Sequence, residues 1–221
     1  MNYSSSEENY IKSIYHLQEH QDLVTTNALA AELNTRPASV TDMLKKLKQK
    51  KLLHYERYKG FRLSPEGKKV ALGIIRRHRL WEYFLSVKLH FTWEEVHEVA
   101  EELEHVSSRK LIDKLDEYLG FPRFDPHGDP IPDQHGKIHP ARQVILSEWP
   151  ESETAEVSGV GDQSPEMLEI LSHRQIGIGT KLEIRKKFSF DQSIEIKIRN
   201  LPAFTISKQL ADHIWVKKPG L

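Results

Sequence analysis

Residues 97–106 read HEVAEELEHV, two histidines and four glutamates with no lysine or arginine among them. Imidazoles and carboxylates ligate divalent cations, so the stretch reads either as a metal cage or as a solvated acidic helix face. At about 100° per residue, Val96, Val99, Ala100, Leu103 and Val106 gather on one side of a helix, and His97, Glu101, Glu104 and His105 gather on another. Glu98 and Glu102 fall outside that polar cluster. Like charges three or four residues apart cost a helix about 0.2–0.5 kcal/mol per pair, which disfavours a bare face without deciding the matter. Upstream, His78 and Glu82 are spaced i,i+4 and emerge from one face of another helical pattern. His/Glu pairs on facing helices are how metal sites are built inside helical bundles.

Three predicted helices must carry these residues. The first is SPEGKKVALGIIRRHRLWEYFLSVKL from Ser64, whose Ser-Pro-Glu start supplies a cap and first turn. The second begins near Trp93, and the third is SRKLIDKLDEYLGF with Leu111, Ile112, Leu115, Tyr118 and Leu119. The following loop, GFPRFDPHGDPIPDQHGKIHP, has the Pro/Gly density of an ordered connector, so its His127, His135 and His139 are left out of the metal sites.

Before the acidic helices lies a basic module. From Arg36 to Lys69 there are eleven Lys/Arg against three Asp/Glu, whereas residues 94–104 hold six Glu and no Lys or Arg. EENYIKSIYHLQE reads as a helix, TTNALAAEL as a short second helix, and ASVTDMLKKLKQKKLL as a third with Pro37 near its first turn. LLHYERY and FRLS read as two strands around a Lys-Gly turn. Helix, turn, exposed basic helix and β-hairpin in that order predict a winged helix-turn-helix reading double-stranded DNA. Arg36, Ser39, Thr41 and Lys45 are expected to approach base edges, and Lys46, Arg57 and Lys59 to meet phosphates.

After Arg142 the pattern changes to short alternating segments, TAEVSGV, TKLEIRKKF, SIEIKIRN, FTISKQLA and HIWVKK, with SPEMLEILSHR as one helix. Five brief strands and a helix predict a small barrel. The fold class is therefore mainly α with small β: a winged helix at 1–72, a helical domain at 73–141 and a β-barrel at 142–221. No run of about 18 apolar residues predicts a membrane span, the acidic start MNYSSSEENY is unlike a secretory signal, and the absence of cysteine excludes thiolate ligands and fits a cytoplasmic protein.

In sequence order, RPASVTDMLKKL, RHRLWE, VHEVAEELEHV and FDPHGDPIP resemble the DtxR/MntR family of metal-dependent transcriptional repressors over about residues 6–140, and more weakly beyond. The resemblance implies a primary, activating site of Asn9, Glu101, Glu104 and His105 and an ancillary site of His78, Glu82 and His97. It also implies a helical dimerisation domain and a C-terminal SH3-like, FeoA-type domain. In relatives that domain lends a ligand to the ancillary site, for which Glu166, or less favourably Asp162, is the candidate. Iron-type members carry cysteine where this chain has Glu101, which points to Mn(II), with Fe(II) and other divalent ions as further ligands. Manganese-type members have aspartate at Asn9, and some have glutamate at Lys12, which cannot ligate while protonated.

These readings predict a homodimeric, cytoplasmic repressor of metal-uptake genes that binds operator DNA when a cation joins Asn9 to the Glu101/Glu104/His105 face. Without the cation, glutamate repulsion is expected to leave the first helix loosely held. Dimerisation is expected around Leu80, Phe84 and Leu111 to Leu119. A carboxylate-bridged hydrolase or oxidase would use the same His/Glu set, but no additional nucleophile or phosphate-cradling loop is legible. Metal buffering alone leaves the basic helix and wing unexplained.

Overall fold

Ser4 starts the first helix, α1 (Ser5–Leu17), with a reciprocal capping box: its hydroxyl accepts from the Glu7 N–H, and the Glu7 carboxylate accepts from the Ser4 N–H. The computed structural model describes residues 3–56, 59–139 and 143–220, together with the backbone but not the side chain of residue 94. Contacts divide the chain into two units, residues 1–81, 100–121 and 132–138 in one, and 82–99, 122–131 and 139–221 in the other.

In the first unit α1 is followed by α2 (Thr26–Glu32) and α3 (Pro37–Gln49). Asn34, at φ 46°, supplies the left-handed residue between α2 and α3, and Pro37 occupies the first turn of α3, where its missing N–H costs nothing. Ile11, Ile14, Leu29, Val40, Leu47 and Phe61 are fully buried together. The wing is β1 (Leu53–Glu56) paired antiparallel with β2 (Gly60–Leu63). Gly60 is required there: at φ 144° an added Cβ would lie 2.5 Å from the Val24 carbonyl oxygen.

Ser64 caps α4 (Pro65–Leu89), its hydroxyl accepting from the Gly67 N–H at 3.0 Å. Helix α4 runs unbroken through position 72, so the expected domain boundary there falls inside one helix. Next come α5 (Trp93–Leu103) and α6 (Arg109–Tyr118). Within the first unit, Arg76 pairs with Asp116 at 2.6 Å and fixes α6 beside α4. Leu111 and Tyr118 are exposed, but Leu80 is fully buried inside the chain and so cannot contribute to the dimer face expected of it.

The second unit is built on a six-stranded antiparallel sheet in the order β3 (Val144–Ile145), β8 (Ile214–Lys217), β4 (Thr154–Val160), β5 (Lys181–Lys187), β6 (Ile194–Ile198), β7 (Phe204–Ile206). Bulges at Val157/Gly159 and Ile184/Lys186 bend the two central strands. Helices α7 (Pro165–His173) and α8 (Lys208–Asp212) complete it, and Val157, Leu171, Ile184, Ile196 and Ile214 fill its core. The expected barrel of five strands and one helix gains β3 and α8, two residues and five residues long, too short to leave a periodic signal. Among the described residues no helix is long and apolar enough to cross a membrane.

Candidate metal centre and DNA-reading face

Helix α5 ends at Leu103, but Glu104 continues its bonding, with N–H to the Ala100 carbonyl at 2.9 Å. That last turn directs Glu104 inward, where it is completely buried. Its Oε2 lies 2.8 Å from Lys12 Nζ and 2.8 Å from His78 Nδ1, and the same Lys12 ammonium donates to Glu101 Oε1 at 2.5 Å. Burial pushes the Glu104 carboxyl up, and the His78 hydrogen bond and the Lys12 charge more than offset this, holding it below the usual carboxylate range.

Glu8 supplies a second tie from α1. Its Oε2 lies 2.8 Å from His105 Nδ1, and its Oε1 accepts from Arg77 at 2.7 Å, while Arg77 Nε also donates to the Glu104 backbone carbonyl at 2.5 Å. The expectation of mutually repelling glutamates and a loose first helix is therefore corrected. Lys12 and Arg77 neutralise the acidic residues, and α1 is held by these ion pairs.

Asn9 and Glu104 bear on whether a cation fits. Asn9 Oδ1 and Glu104 Oε1 are buried oxygens with no hydrogen-bond partner, and His105 Nε2 lies 4.0 Å from Glu104 Oε1. Buried oxygens left unsatisfied in this way, beside an imidazole nitrogen, suit a hard divalent ion. His78, expected at the ancillary site, also has its Nδ1 at the Glu104 carboxylate.

In the second unit His97 Nδ1 is 3.2 Å from Glu82 Oε1, the pairing expected of an ancillary site. Two further residues converge on Glu82. Glu82, Asp125 and His127 are all buried and offer ligand atoms within 4.8 Å of one another. An Asx turn orders the loop that carries His127: Asp125 Oδ1 accepts from the His127 N–H at 2.8 Å and the Asp129 N–H at 3.0 Å. Gly128 permits the tight approach behind it, since at φ 88° a Cβ would lie 2.0 Å from the Ser158 carbonyl oxygen. The converging set does not include Glu166, which is exposed in the first turn of α7, nor Asp162, which caps the Ser164 N–H at 2.8 Å. The one sequence signal for His127 was its two-residue spacing from Asp125.

Of the residues expected to meet DNA, Arg36, Ser39, Thr41, Lys45 and Lys46 are all exposed on or at the start of α3, and Lys59 is exposed at the wing turn. Thr41 Oγ1 donates back to the Pro37 carbonyl at 2.9 Å, and Lys45 pairs with Asp42 at 3.0 Å. Arg57 lies outside the described residues.

Residues 2–61 match the family described as iron dependent repressor, N-terminal DNA binding domain; residues 64–133 match its metal binding and dimerisation domain; residues 144–218 match the FeoA domain. The HTH-type transcriptional regulator MntR of Oceanobacillus iheyensis is 32% identical over 152 residues, covering 68% of this chain and 97% of that protein. The chain belongs to the DtxR/MntR family of metal-dependent repressors. As a member of that family it is a DNA-binding transcriptional repressor and not an enzyme. MntR of Bacillus pumilus is 35% identical over 116 residues, 52% of this chain and 80% of its own. Two solved repressors extend the likeness to nearly the whole chain. A manganese-dependent transcriptional repressor in complex with manganese has a TM-score of 0.81 at 32% identity, covering 96% of this chain and 99% of its own. ScaR with bound Cd2+ has a TM-score of 0.76 at 29% identity with the same coverage.

Proposed function

We propose that this repressor is a cytoplasmic homodimer that closes metal-uptake genes when Mn(II) fills a primary site of Asn9, Glu101, Glu104 and His105. Fe(II) is the second ion the donor set admits. The observation that carries this reading is that α1 supports the winged-helix core through Ile11 and Ile14 and also carries Glu8, Asn9 and Lys12, of which Glu8 and Lys12 contact the end of α5. A bound ion would supply a doubly positive centre that the carboxylates and the imidazole share, fixing α1 and thereby the helices that depend on it. Metal shifts the repressor only so far as it binds the DNA-competent arrangement more tightly than the other. With no cysteine in the chain, the donors are oxygens and imidazoles, which favours Mn(II) among physiological ions. The relatives' manganese, and the Cd2+ of ScaR, support the same class of site.

Glu82, Asp125 and His127, with His97, form the proposed ancillary site. Two recognition helices in a dimer would read half-sites about one helical turn apart on double-stranded operator DNA. The test is a mobility-shift titration of Mn(II) against anaerobic Fe(II), with the wild type and Glu104→Ala on promoters of metal-uptake genes. Metal-stimulated binding that Glu104→Ala loses is expected, and equal binding by Glu104→Ala at every metal level overturns the primary-site assignment.

A further inference from the structure

Glu101 and Glu104 already share a cation, and it is part of the chain. Lys12 Nζ lies 2.5 Å from Glu101 Oε1 and 2.8 Å from Glu104 Oε2, with only 11% of the lysine side chain exposed. Its three N–H donors thus neutralise two carboxylates that are 89 and 92 residues away in sequence. Removing the ammonium would leave the completely buried Glu104 carboxylate leaning on His78 alone at that oxygen.

We propose that Lys12 is an internal competitor for the metal, a residue that sets the ion concentration at which the primary site fills. This rests on the reading of Glu101 and Glu104 as ligands. A divalent ion held by those two carboxylates would compete with an ammonium bonded to both, because like charges within a few ångströms of each other beside the completely buried Glu104 repel strongly. Lysine suits the part: its point charge sits on a flexible four-carbon stem, so it can swing away once an ion takes the carboxylates. The apparent metal affinity is reduced by the fraction of molecules in which the lysine holds the oxygens. In exchange, the metal-free repressor keeps α1 docked.

The experiment follows Mn(II) binding by loss of the electron paramagnetic resonance signal of the free aquo ion, for the wild type, Lys12→Met, Lys12→Arg and Glu104→Gln. The phase of the isotherm that Glu104→Gln weakens or removes is the primary site. In that phase Lys12→Met should bind about tenfold tighter or more, and Lys12→Arg should stay close to wild type. Amide hydrogen exchange in α1 should quicken in metal-free Lys12→Met and slow again with Mn(II). Lys12→Met with wild-type or weaker affinity in that phase overturns the competition, and means that the ion uses Glu104 Oε1 with the ammonium still in its seat. Binding unaffected by Glu104→Gln would instead sink the ligand assignment itself. If Lys12→Met does not fold without metal, Lys12→Gln is measured in its stead. Should both fold only when Mn(II) is added, the ion has replaced the ammonium as proposed, and failure of both with Mn(II) present overturns it.

Discussion

His105 Nδ1 lies 2.8 Å from Glu8 Oε2, so a carboxylate of α1 orients an imidazole at the end of α5. A carboxylate on one ring nitrogen fixes the tautomer and leaves the other nitrogen's lone pair for a metal. Glu8 is itself held in position by Arg77 at 2.7 Å. Glu8→Gln should therefore weaken Mn(II) binding about 10- to 100-fold. Isothermal titration calorimetry checks this, and an unchanged Kd would mean that His105 does not depend on that orientation.

The ancillary reading gives a stoichiometric prediction. Glu82, Asp125 and His127 converge within 4.8 Å, apart from the primary residues in the division of the chain. His127→Ala should lower the Mn(II) bound per chain by one at saturation while leaving the phase that depends on Glu104. Equilibrium dialysis with metal analysis measures the count, and an unaltered count removes His127 from the ligands.

Much of this was legible in local sequence, and the rest depended on contacts that local sequence does not encode. The apolar periodicity of α1 and α3, the Ser-Pro-Glu start of α4 and the alternation of the β4 and β5 segments all give elements close to those expected. His78 and Glu82 share the i,i+4 face read from their spacing, yet His78 meets Glu104, because only the approach of another segment selects between neighbours on one face. In the sequence Lys12 is only a departure from a ligand pattern, whereas its part as a counter-ion needs Glu101 and Glu104 brought to it from far along the chain. His127 sits in a loop whose order comes from Asp125 accepting two backbone N–H groups, a device with no periodicity.

Salt dependence tests the DNA-reading face. Lys46 and Lys59 are exposed, so their ammonium groups can reach phosphates. Each change to alanine should weaken binding to all duplexes alike and reduce the slope of log K against log salt by about one. Thr41→Ala, by contrast, should alter preference among operator sequences with little change in slope. A mobility-shift series at several salt concentrations reads both, and unchanged slopes for the lysine variants would move the phosphate contacts elsewhere.

The Ser4 capping box gives a prediction for acid pH that needs no metal. Glu7 Oε2 accepts from the Ser4 N–H at 3.0 Å and Glu7 Oε1 pairs with Lys50 at 2.6 Å, joining the start of α1 to the end of α3. Burial pushes the Glu7 carboxyl up, but the Lys50 hydrogen bond and the Ser4 backbone N–H prevail and hold it below its ordinary 4.5. A carboxylate whose folded value is depressed stabilises the fold fully above the unfolded value and loses that contribution as pH falls through the folded one. Glu7→Gln should therefore cost about 1–2 kcal/mol at neutral pH, from the weakened cap and the loss of the carboxylate that pairs with Lys50. The gap between variant and wild type should narrow as pH drops below the ordinary carboxylate value. Urea unfolding in chelator at pH 7 and near pH 3 measures it, and a gap of the same size at both would mean that the Glu7 charge contributes nothing to holding α1 against α3.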